Sequence, residues 1–361
     1  SDTETGRSYR TPKTGQPSLR RLSIDRDVQT DVLIEAVDTH TGGEPTRIVT
    51  GGVNTDRFAG GSVEEQRDRF REEADALRRL LMKEPRGHDD MYGAILVPPA
   101  ADAADIGVFF IDNGGYKDLC GHGTMGVVTA LVETGYLDPD GAVTVETPAG
   151  LVTADPEISD AGRVEHVTVE NISAYVLDAV TLQMDIDGES VTVPVDVVYA
   201  GNVFAMVPAA VFGLHVAPDN TDAFVDYGVE IRERVNEANE FEDPFSGEEL
   251  VVDHTEFYEP DAEADRNIVV FSAGAVDRSP CGTGTCGKMT LLHTKGELAV
   301  GEPYHHESVI GTRFEGRLRE VEHREGYTVD NAEISGSAYI VAKHTFVLDP
   351  ADSVHSFDIS T

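Results

Sequence analysis

Short apolar runs alternate with amphipathic stretches along most of the chain. Residues 62–83 place apolar side chains near one face, and Ser62 precedes Glu65 by three positions, which predicts a helix with a capping box. Residues 222–240 predict a second helix, and the polar stretch 241–266 is expected to separate elements. Runs rich in Val, Ile and Thr predict strands at 33–37, 93–97, 108–111, 143–153, 164–176, 190–208 and 267–273. The pattern predicts a mixed α/β (α+β) protein with more strand than helix.

The charge of the chain narrows the classes of partner. It has 361 residues with 66 acidic and 28 basic side chains, a formal net charge of −38. Such an excess repels phosphate backbones and anionic lipid, so no nucleic acid and no membrane partner is expected. Because the hydrophobic content is still 40% and only six of the basic residues are Lys, we interpret the charge as a solvated surface suited to a high-salt cytosol, with salt-dependent activity.

The N-terminal segment and the cysteines add two further expectations. Residues 1–30 contain few apolar side chains and predict a disordered arm. The three cysteines, at 120, 281 and 286, include no C-x-x-C pair, which argues against a disulfide framework or a structural zinc site. We expect a cytoplasmic protein without a bound metal.

An internal repeat is the most informative feature. The segments starting at Cys120 and Cys281 share the pattern C-G-x-G-T-x-G and have eleven identities in 31 ungapped positions. At about 6% per position, roughly two identities are expected by chance, so we infer duplicated structural units. In each unit a Gly-rich turn leads into an apolar segment, which predicts a helix ending near Gly135 or Gly296.

Two cysteines at helix N-termini suit one type of reaction. The unpaired N–H groups at such an end favour a thiolate, whose pKa should fall from about 8.5 toward neutrality, and they can also hold a carboxylate. Two such units facing one cleft would place an acid and a base on opposite sides of a carbon, as inversion of a stereocentre requires. Negative charge developing at the carboxylate would be stabilised by the same N–H groups.

Other interpretations of these residues stay open. Both turns match G-x-G-x-x-G with an acidic residue, Glu146 or Glu307, 20 positions further on, which would fit a dinucleotide-binding enzyme. Cys286 is expected to be core filler. The run 304–307 (YHHE) is expected to be polar surface rather than a metal site, because adjacent residues of a strand point to opposite faces.

Several motifs together resemble the proline racemase family. They include DTHTGGEPTR at 38–47, LCGHGTMG at 119–126 and DRSPCGTGT at 277–285, in order and over residues 33 to 358. Further matching segments lie at 84–91, 200–205, 307–312 and 334–339.

The resemblance implies a diaminopimelate-epimerase-like fold of two similar domains, each a curved mixed sheet around a central helix, related by a pseudo-two-fold axis. The first domain would comprise 31–155 with returning strands at about 337–361 and carry Cys120. The second would comprise 156–336 and carry Cys281. The family works without a cofactor, and its active site lies between the domains.

The resemblance also implies roles for individual residues. Cys120 and Cys281 stand at the two catalytic positions. Asp277 matches a residue that contacts the substrate nitrogen, and His254 matches one that lines the pocket. The backbone amides that bind the substrate carboxylate would belong to Gly121, His122, Gly282 and Thr283.

The family contains proline racemases, 4-hydroxyproline 2-epimerases and trans-3-hydroxy-L-proline dehydratases. In the dehydratases the second Cys is typically Thr, so the resemblance favours an isomerase acting on proline or 4-hydroxyproline. A dehydratase and a non-catalytic amino-acid-binding protein remain the alternatives. The expected partner is a small imino acid, and a homodimer is possible.

Overall fold

The computed structural model describes residues 32–138, 141–170, 173–186 and 188–358. The arm predicted at 1–30 lies outside these residues. The first run of elements is β1 (Val32–Thr41), β2 (Glu44–Gly51), α1 (Val63–Met82), β3 (Tyr92–Val97), β4 (Ile106–Asp112), β5 (Tyr116–Lys117), α2 (Gly121–Glu133), β6 (Val143–Thr147), β7 (Gly150–Ile158) and β8 (Val164–Glu170).

The second run repeats this order with one long strand ahead of it and two short strands after its first helix. It comprises β9 (Ala174–Ile186), β10 (Glu189–Tyr199), β11 (Val203–Pro208), α3 (Thr221–Ala238), β12 (Phe241–Glu242), β13 (Glu249–Leu250), β14 (His254–Glu259), β15 (Asp265–Phe271), β16 (Ala275–Asp277), α4 (Gly282–Thr294), β17 (Tyr304–Ser308), β18 (Arg313–Arg324) and β19 (Tyr327–Gly336). The last strand, β20 (Ala338–Leu348), returns to pair with β1.

Strand pairing shows that the chain contains the same topology twice. In one half β2 runs parallel to β3 and β4 parallel to β6, with helices α1 and α2 in the two crossovers. In the other half β11 runs parallel to β14 and β15 parallel to β17, with α3 and α4 in the crossovers. We call β20 with β1 to β8 the first half, and β9 to β19 the second half. The duplication inferred from the repeat and the mixed α/β class are confirmed.

Each half is built around one buried helix. Helix α2 packs against β1, β2, β7, β8 and β20, and α4 packs against β9, β10, β11, β18 and β19. The first eleven residues of α2 are all buried, as expected for a helix enclosed by a curved sheet. The halves are joined where β19 of the second half pairs with β8 of the first half. The domain boundaries expected from the sequence stay a prediction.

Local signals were dependable predictors of the helix ends. Helix α1 begins after Ser62, whose hydroxyl accepts from the N–H of Glu65, and the Glu65 carboxylate accepts from the Ser62 N–H. The capping box is therefore confirmed. Helices α2 and α4 are followed by Gly135 and Gly296 at φ +74° and +76°, the left-handed conformation that favours glycine after a helix.

The stretch 241–266 departs from the prediction, because it contains β14, one of the buried strands of the second half. Glu256 in the middle of β14 is fully buried. A carboxylate at a buried position breaks the alternation of apolar and polar residues by which a strand is recognised. The polar composition therefore concealed the strand. Among the described residues, no helix combines the length and apolar character needed to cross a membrane.

Candidate active site

The two central helices meet N-terminus to N-terminus. A Cβ atom built on Gly121 would lie 3.1 Å from the Cα atom of Gly282, and one built on Gly282 would lie 3.0 Å from the Cα atom of Gly121. Only glycine allows the two backbones to approach this closely. The positive ends of the two helix dipoles therefore converge on one place, which favours an anion there.

Cys120 is the N-cap residue of α2 and has an extended backbone, with φ −154°. Its Sγ atom accepts a hydrogen bond from the N–H of Gly123 at 3.2 Å and lies 3.1 Å from Nδ1 of His122. Tyr92 borders the same cleft, and its interaction with the sulfur is one of the causes that lower the pKa of this thiol. The thiol is buried, and the first turn of its own helix holds it.

Cys281 is the N-cap residue of α4 in a different backbone conformation. Its φ is +59° and its ψ is 113°, which is a strained combination for a residue with a Cβ atom. Its Sγ accepts from the N–H of Gly284 at 3.4 Å and lies 3.8 Å from Oγ1 of Thr283. Its own N–H donates to Oγ of Ser279 at 3.1 Å. The repeat thus places two thiols equivalently in sequence but not in backbone geometry.

The two thiols line a single small cleft between the two helix ends. All eight residues predicted to form the site border this cleft. They are Cys120, Gly121, His122, His254, Asp277, Cys281, Gly282 and Thr283.

Asp277 supplies the negative charge of the cleft. It is buried, and its Oδ1 atom accepts from the N–H of Ser279 at 2.8 Å and from the Ser279 hydroxyl at 2.7 Å. A second buried carboxyl, that of Glu44, accepts from the N–H of Arg278 at 2.8 Å. Burial, and then the charge of Asp277, raise the pKa of Glu44 well above its usual value. Asp277 is therefore the group placed to accept an ammonium.

His254 forms part of the cleft wall between aromatic rings. Its ring lies 4.9 Å from that of Phe204 and stacks on that of Phe271 at 5.7 Å, centroid to centroid. Its Nδ1 atom lies 2.8 Å from Oδ1 of Asp253. Burial opposes ionisation of Asp253, but the charge and hydrogen bond of His254, together with the charge of Lys117 and the N–H of Val203, lower the pKa of that carboxyl overall.

The enclosed site reverses the expected effect on the thiols. Burial raises the pKa of Cys120 to about 12, although the hydrogen bonds from Tyr92 and the Gly123 N–H oppose it. Burial, followed by the charge of Asp277, raises the pKa of Cys281 well above its usual value. The expectation of a lowered pKa is wrong for the free site, because loss of hydration outweighs the helix end.

Other sequence expectations can be compared with the structure. Cys286 is fully buried in the apolar core, as expected for core filler. Within 304–307, strand alternation holds, but His306 is fully buried, so the assignment of this residue to polar surface is wrong. Within the described ranges, no cluster of three or more His, Cys, Asp or Glu is arranged to hold a metal.

The dinucleotide alternative finds no support in the two acidic residues on which it depended. Glu146 accepts hydrogen bonds from the N–H groups of Ala100 and Ala101, and Glu307 pairs with Arg313 and Arg266. These contacts give both carboxylates structural roles, away from the Gly-rich turns.

Sequence reasoning missed five residues of the cleft: Tyr92, Lys117, Leu119, Asn202 and Phe271. Asn202 lies within one of the family-like segments, and its side chain donates to Oγ1 of Thr283 at 3.3 Å. That segment was the one available signal for it. Tyr92 begins strand β3, where an aromatic residue is expected in the core, so only the fold reveals that it borders the cleft together with Cys120.

Comparisons with known proteins agree with this geometry. A family model described as proline racemase matches residues 36–356. A proline racemase from Clostridioides difficile is 38% identical over 331 residues, covering 90% of this chain and 97% of the relative. A 4-hydroxyproline 2-epimerase from Streptosporangium roseum is 39% identical over 332 residues, covering 90% and 98%.

The structure is similar to a crystal structure of a hydroxyproline epimerase from Agrobacterium vitis with bound trans-4-hydroxy-L-proline. The TM-score is 0.82 at 26% identity, covering 91% of this chain and 96% of the other. Together with more distant structural neighbours, this match confirms the diaminopimelate-epimerase-like fold expected from the sequence.

Proposed function

The chain belongs to the proline racemase family, and from this premise we propose that it inverts the α-carbon of a cyclic imino acid, proline or 4-hydroxyproline. As a member of this family of racemases and epimerases it is an isomerase. The observation that carries the proposal is the placement of two buried thiols at two converging helix N-termini in one cleft.

In the proposed reaction, one thiolate removes the α-proton and the opposite thiol returns a proton to the other face. The proton first held by the second thiol ends on the α-carbon, and the removed proton ends on the first sulfur, so the two cysteines exchange protonation states in each turnover. Because the two roles are interchangeable, the same site runs the reaction in both directions.

The substrate carboxylate is proposed to lie between the two helix ends. The backbone N–H groups of Gly121 and His122 on one side, and of Gly282 and Thr283 on the other, would bind it. As the α-proton leaves, negative charge develops on the carboxylate oxygens, where fixed N–H donors stabilise it most in a site that excludes water.

Asp277 links substrate binding to activation of the thiols. Its charge is among the causes that raise the pKa of both Cys120 and Cys281 in the free site. A substrate ammonium paired with Asp277 would neutralise that charge. Binding would therefore favour the thiolate that the reaction needs, in a cleft where an uncompensated thiolate is costly.

The test is exchange of the α-proton with D₂O and chiral analysis of L-proline and trans-4-hydroxy-L-proline, in molar KCl. We expect exchange and inversion with at least one substrate, and loss of both by a factor of at least 10² in Cys120→Ser and Cys281→Ser, the lower end for removal of an acid or base. Cys286→Ser, which changes a thiol buried in the core, is the control and should stay active.

Each alternative predicts a distinct result. Full exchange in either single variant would exclude the two-thiol mechanism. Release of a pyrroline product from trans-3-hydroxy-L-proline would identify a dehydratase. Thermal stabilisation by the ligands with no change of chirality would identify a binding protein.

A further inference from the structure

A group of buried polar side chains lies beneath the first turn of α4, outside the cleft. Neither Cys120 nor any group on α2 belongs to it. We call it the polar cluster; it consists of Glu256 on β14, Asn267 on β15, Thr285 and Lys288 on α4, and His306 on β17, all at most 2% exposed. Burying ionisable groups is costly, so such a cluster calls for a physical reason.

The first half of the fold provides a built-in comparison. Strand register and the sequence repeat pair Glu256 with Ala94, Asn267 with Val108, Lys288 with Val127 and His306 with Val145. All four counterparts are fully buried members of the apolar core around α2. The same scaffold thus accommodates apolar residues at these four positions. Four of the five members of the polar cluster are therefore specific to the half that contains Cys281, and the fifth, Thr285, matches Thr124.

One contact of the cluster is with the peptide preceding Cys281. The carbonyl of Pro280 accepts from Nδ2 of Asn267 at 2.7 Å and from Oγ1 of Thr285 at 3.1 Å. Nδ1 of His306 lies 3.0 Å from the same Thr285 hydroxyl. These bonds anchor the chain immediately before the strained residue, and Cys120 has an unstrained extended backbone.

A second contact is with the turn that holds the Cys281 sulfur. A Cβ atom built on Gly284 would lie 2.4 Å from Oε2 of Glu256, so the carboxyl packs directly against the residue whose N–H donates to Sγ. At the equivalent Gly123, the neighbour is the ring of Phe110, 2.6 Å from the built Cβ. A titratable group thus fills the space next to Gly284, whereas an aromatic ring from the neighbouring strand fills the equivalent space next to Gly123.

Lys288 supplies the positive charge that favours ionisation of Glu256 within the cluster. Its Nζ atom lies over the ring of Tyr258, 3.2 Å from the centroid, and Oε1 of Glu256 lies 3.8 Å from Nε2 of His306. Burial lowers the pKa of His306 to about 3, so this ring is neutral at working pH. The charge beneath Cys281 therefore depends on the protonation of Glu256 and Lys288.

We propose that the polar cluster positions Cys281 and controls the charge beneath it, so that the two thiols differ in reactivity. Its members are positioning residues, since none of them borders the cleft. The proposal deepens the proposed function by giving the two cysteines unequal readiness to act as base. Its test measures thiol chemistry without turnover, so it can fail or succeed independently of the isomerase assay.

The titration of Glu256 provides the perturbation. Burial raises its pKa to about 8, and the charge of Lys288 opposes that rise. Burial lowers the pKa of Lys288. Above pH 8, an ionised Glu256 should therefore disfavour a thiolate at Cys281. The titratable and polar groups that face Glu256 are Lys288 on α4, Asp265 and Asn267 on β15, Asp277 on β16, Tyr304 and His306 on β17, and Tyr258 on its own strand.

The experiment compares alkylation of the two thiols by iodoacetamide, quantified separately by peptide mass spectrometry between pH 6 and 10 in the full-length protein. In Glu256→Gln, we expect Cys281 to react about tenfold faster relative to Cys120 at pH 9, as a pKa shift of about one unit implies. At pH 6 the ratio should match wild type. Glu259→Gln, the same change further along β14, should leave the ratio unchanged at both pH values.

Two further measurements keep the proposal testable whatever the stability of this variant. Lys288→Met should slow Cys281 relative to Cys120 by about tenfold at neutral pH. In wild type, the logarithm of the Cys281 rate should flatten near pH 8 and then rise again, and that of Cys120 should rise without this break. An unchanged ratio in Glu256→Gln at pH 9, equal changes at both thiols, or parallel wild-type profiles would overturn the proposal.

Discussion

The close approach of the two helix ends makes Gly282→Ala a sharp test of how the site is assembled. The substitution keeps the N–H group that is proposed to bind the carboxylate and adds one methyl group. That methyl would lie 2.6 Å from Cδ1 of Ile334 and 3.0 Å from Cα of Gly121. The Ile334 side chain can turn away, but a backbone atom cannot, so the helix ends must separate.

The size of the effect follows from these distances. Ordinary carbon contacts begin at about 3.5 Å, so the ends would move apart by a few tenths of an ångström. Overpacking of this kind costs roughly 1 to 3 kcal/mol of the free energy of unfolding. Because a misplacement of about 1 Å can cost a factor of ~10² in rate, we expect α-proton exchange to slow by about tenfold.

The assay combines the exchange rate in D₂O with the thermal midpoint. Gly287→Ala is the matched control: it lies on the same helix, and its methyl would meet the flexible end of Met206, at 2.7 Å from Cε. Gly287→Ala should exchange at nearly the wild-type rate. Adding Ile334→Val to Gly282→Ala removes the side-chain contact but not the backbone contact, so it should recover part of the lost stability without recovering the rate. Wild-type exchange in Gly282→Ala would refute the argument that the thiols depend on this contact.

Two other predictions concern the Cys120 thiol and the surface charge. Tyr92→Phe removes the hydroxyl whose interaction with Cys120 lowers the pKa of that thiol. Alkylation of Cys120 at pH 9, measured with Cys281 as the internal reference, should therefore slow by about tenfold or more. A rate equal to that of wild type would contradict this prediction. The net charge of −38 predicts that Tm rises between 0.1 and 1 M KCl, because the screening length for repulsion between the surface carboxylates falls from about 10 to about 3 Å. A constant Tm would exclude this repulsion as a reason for the stability or activity of the protein to depend on salt.

The parts of the site that lie close together in sequence were predictable. Cys120 and Cys281 each begin a Gly-rich turn and an apolar helix, and the amides that follow them are fixed by the same turn. The pattern repeats 161 residues later, which predicts a second copy of the same local structure. Asp277 precedes Cys281 by four residues and belongs to the same segment.

What the sequence did not reveal depends on tertiary contacts. Tyr92 and Asn202 reach the cleft from β3 and from the loop before β11, far along the chain from either Cys. The prediction that both thiol pKa values are lowered was wrong for the same reason. A helix N-terminus is a local feature that the pattern shows, whereas exclusion of water is a property of the assembled cleft, and here it outweighs the helix end.

The duplication explains why the two thiols could be predicted from the sequence, and why the differences between the two halves could not. Two copies of one scaffold bring two thiols to one cleft. In the reaction proposed above, one sulfur must hold a proton while the other is ionised. A strictly symmetric site would leave that choice to the substrate alone. The second half departs from the first at Glu256, Lys288 and His306, beneath the one cysteine whose backbone is strained. These three substitutions therefore lie where the protein itself can make the two thiols differ in reactivity.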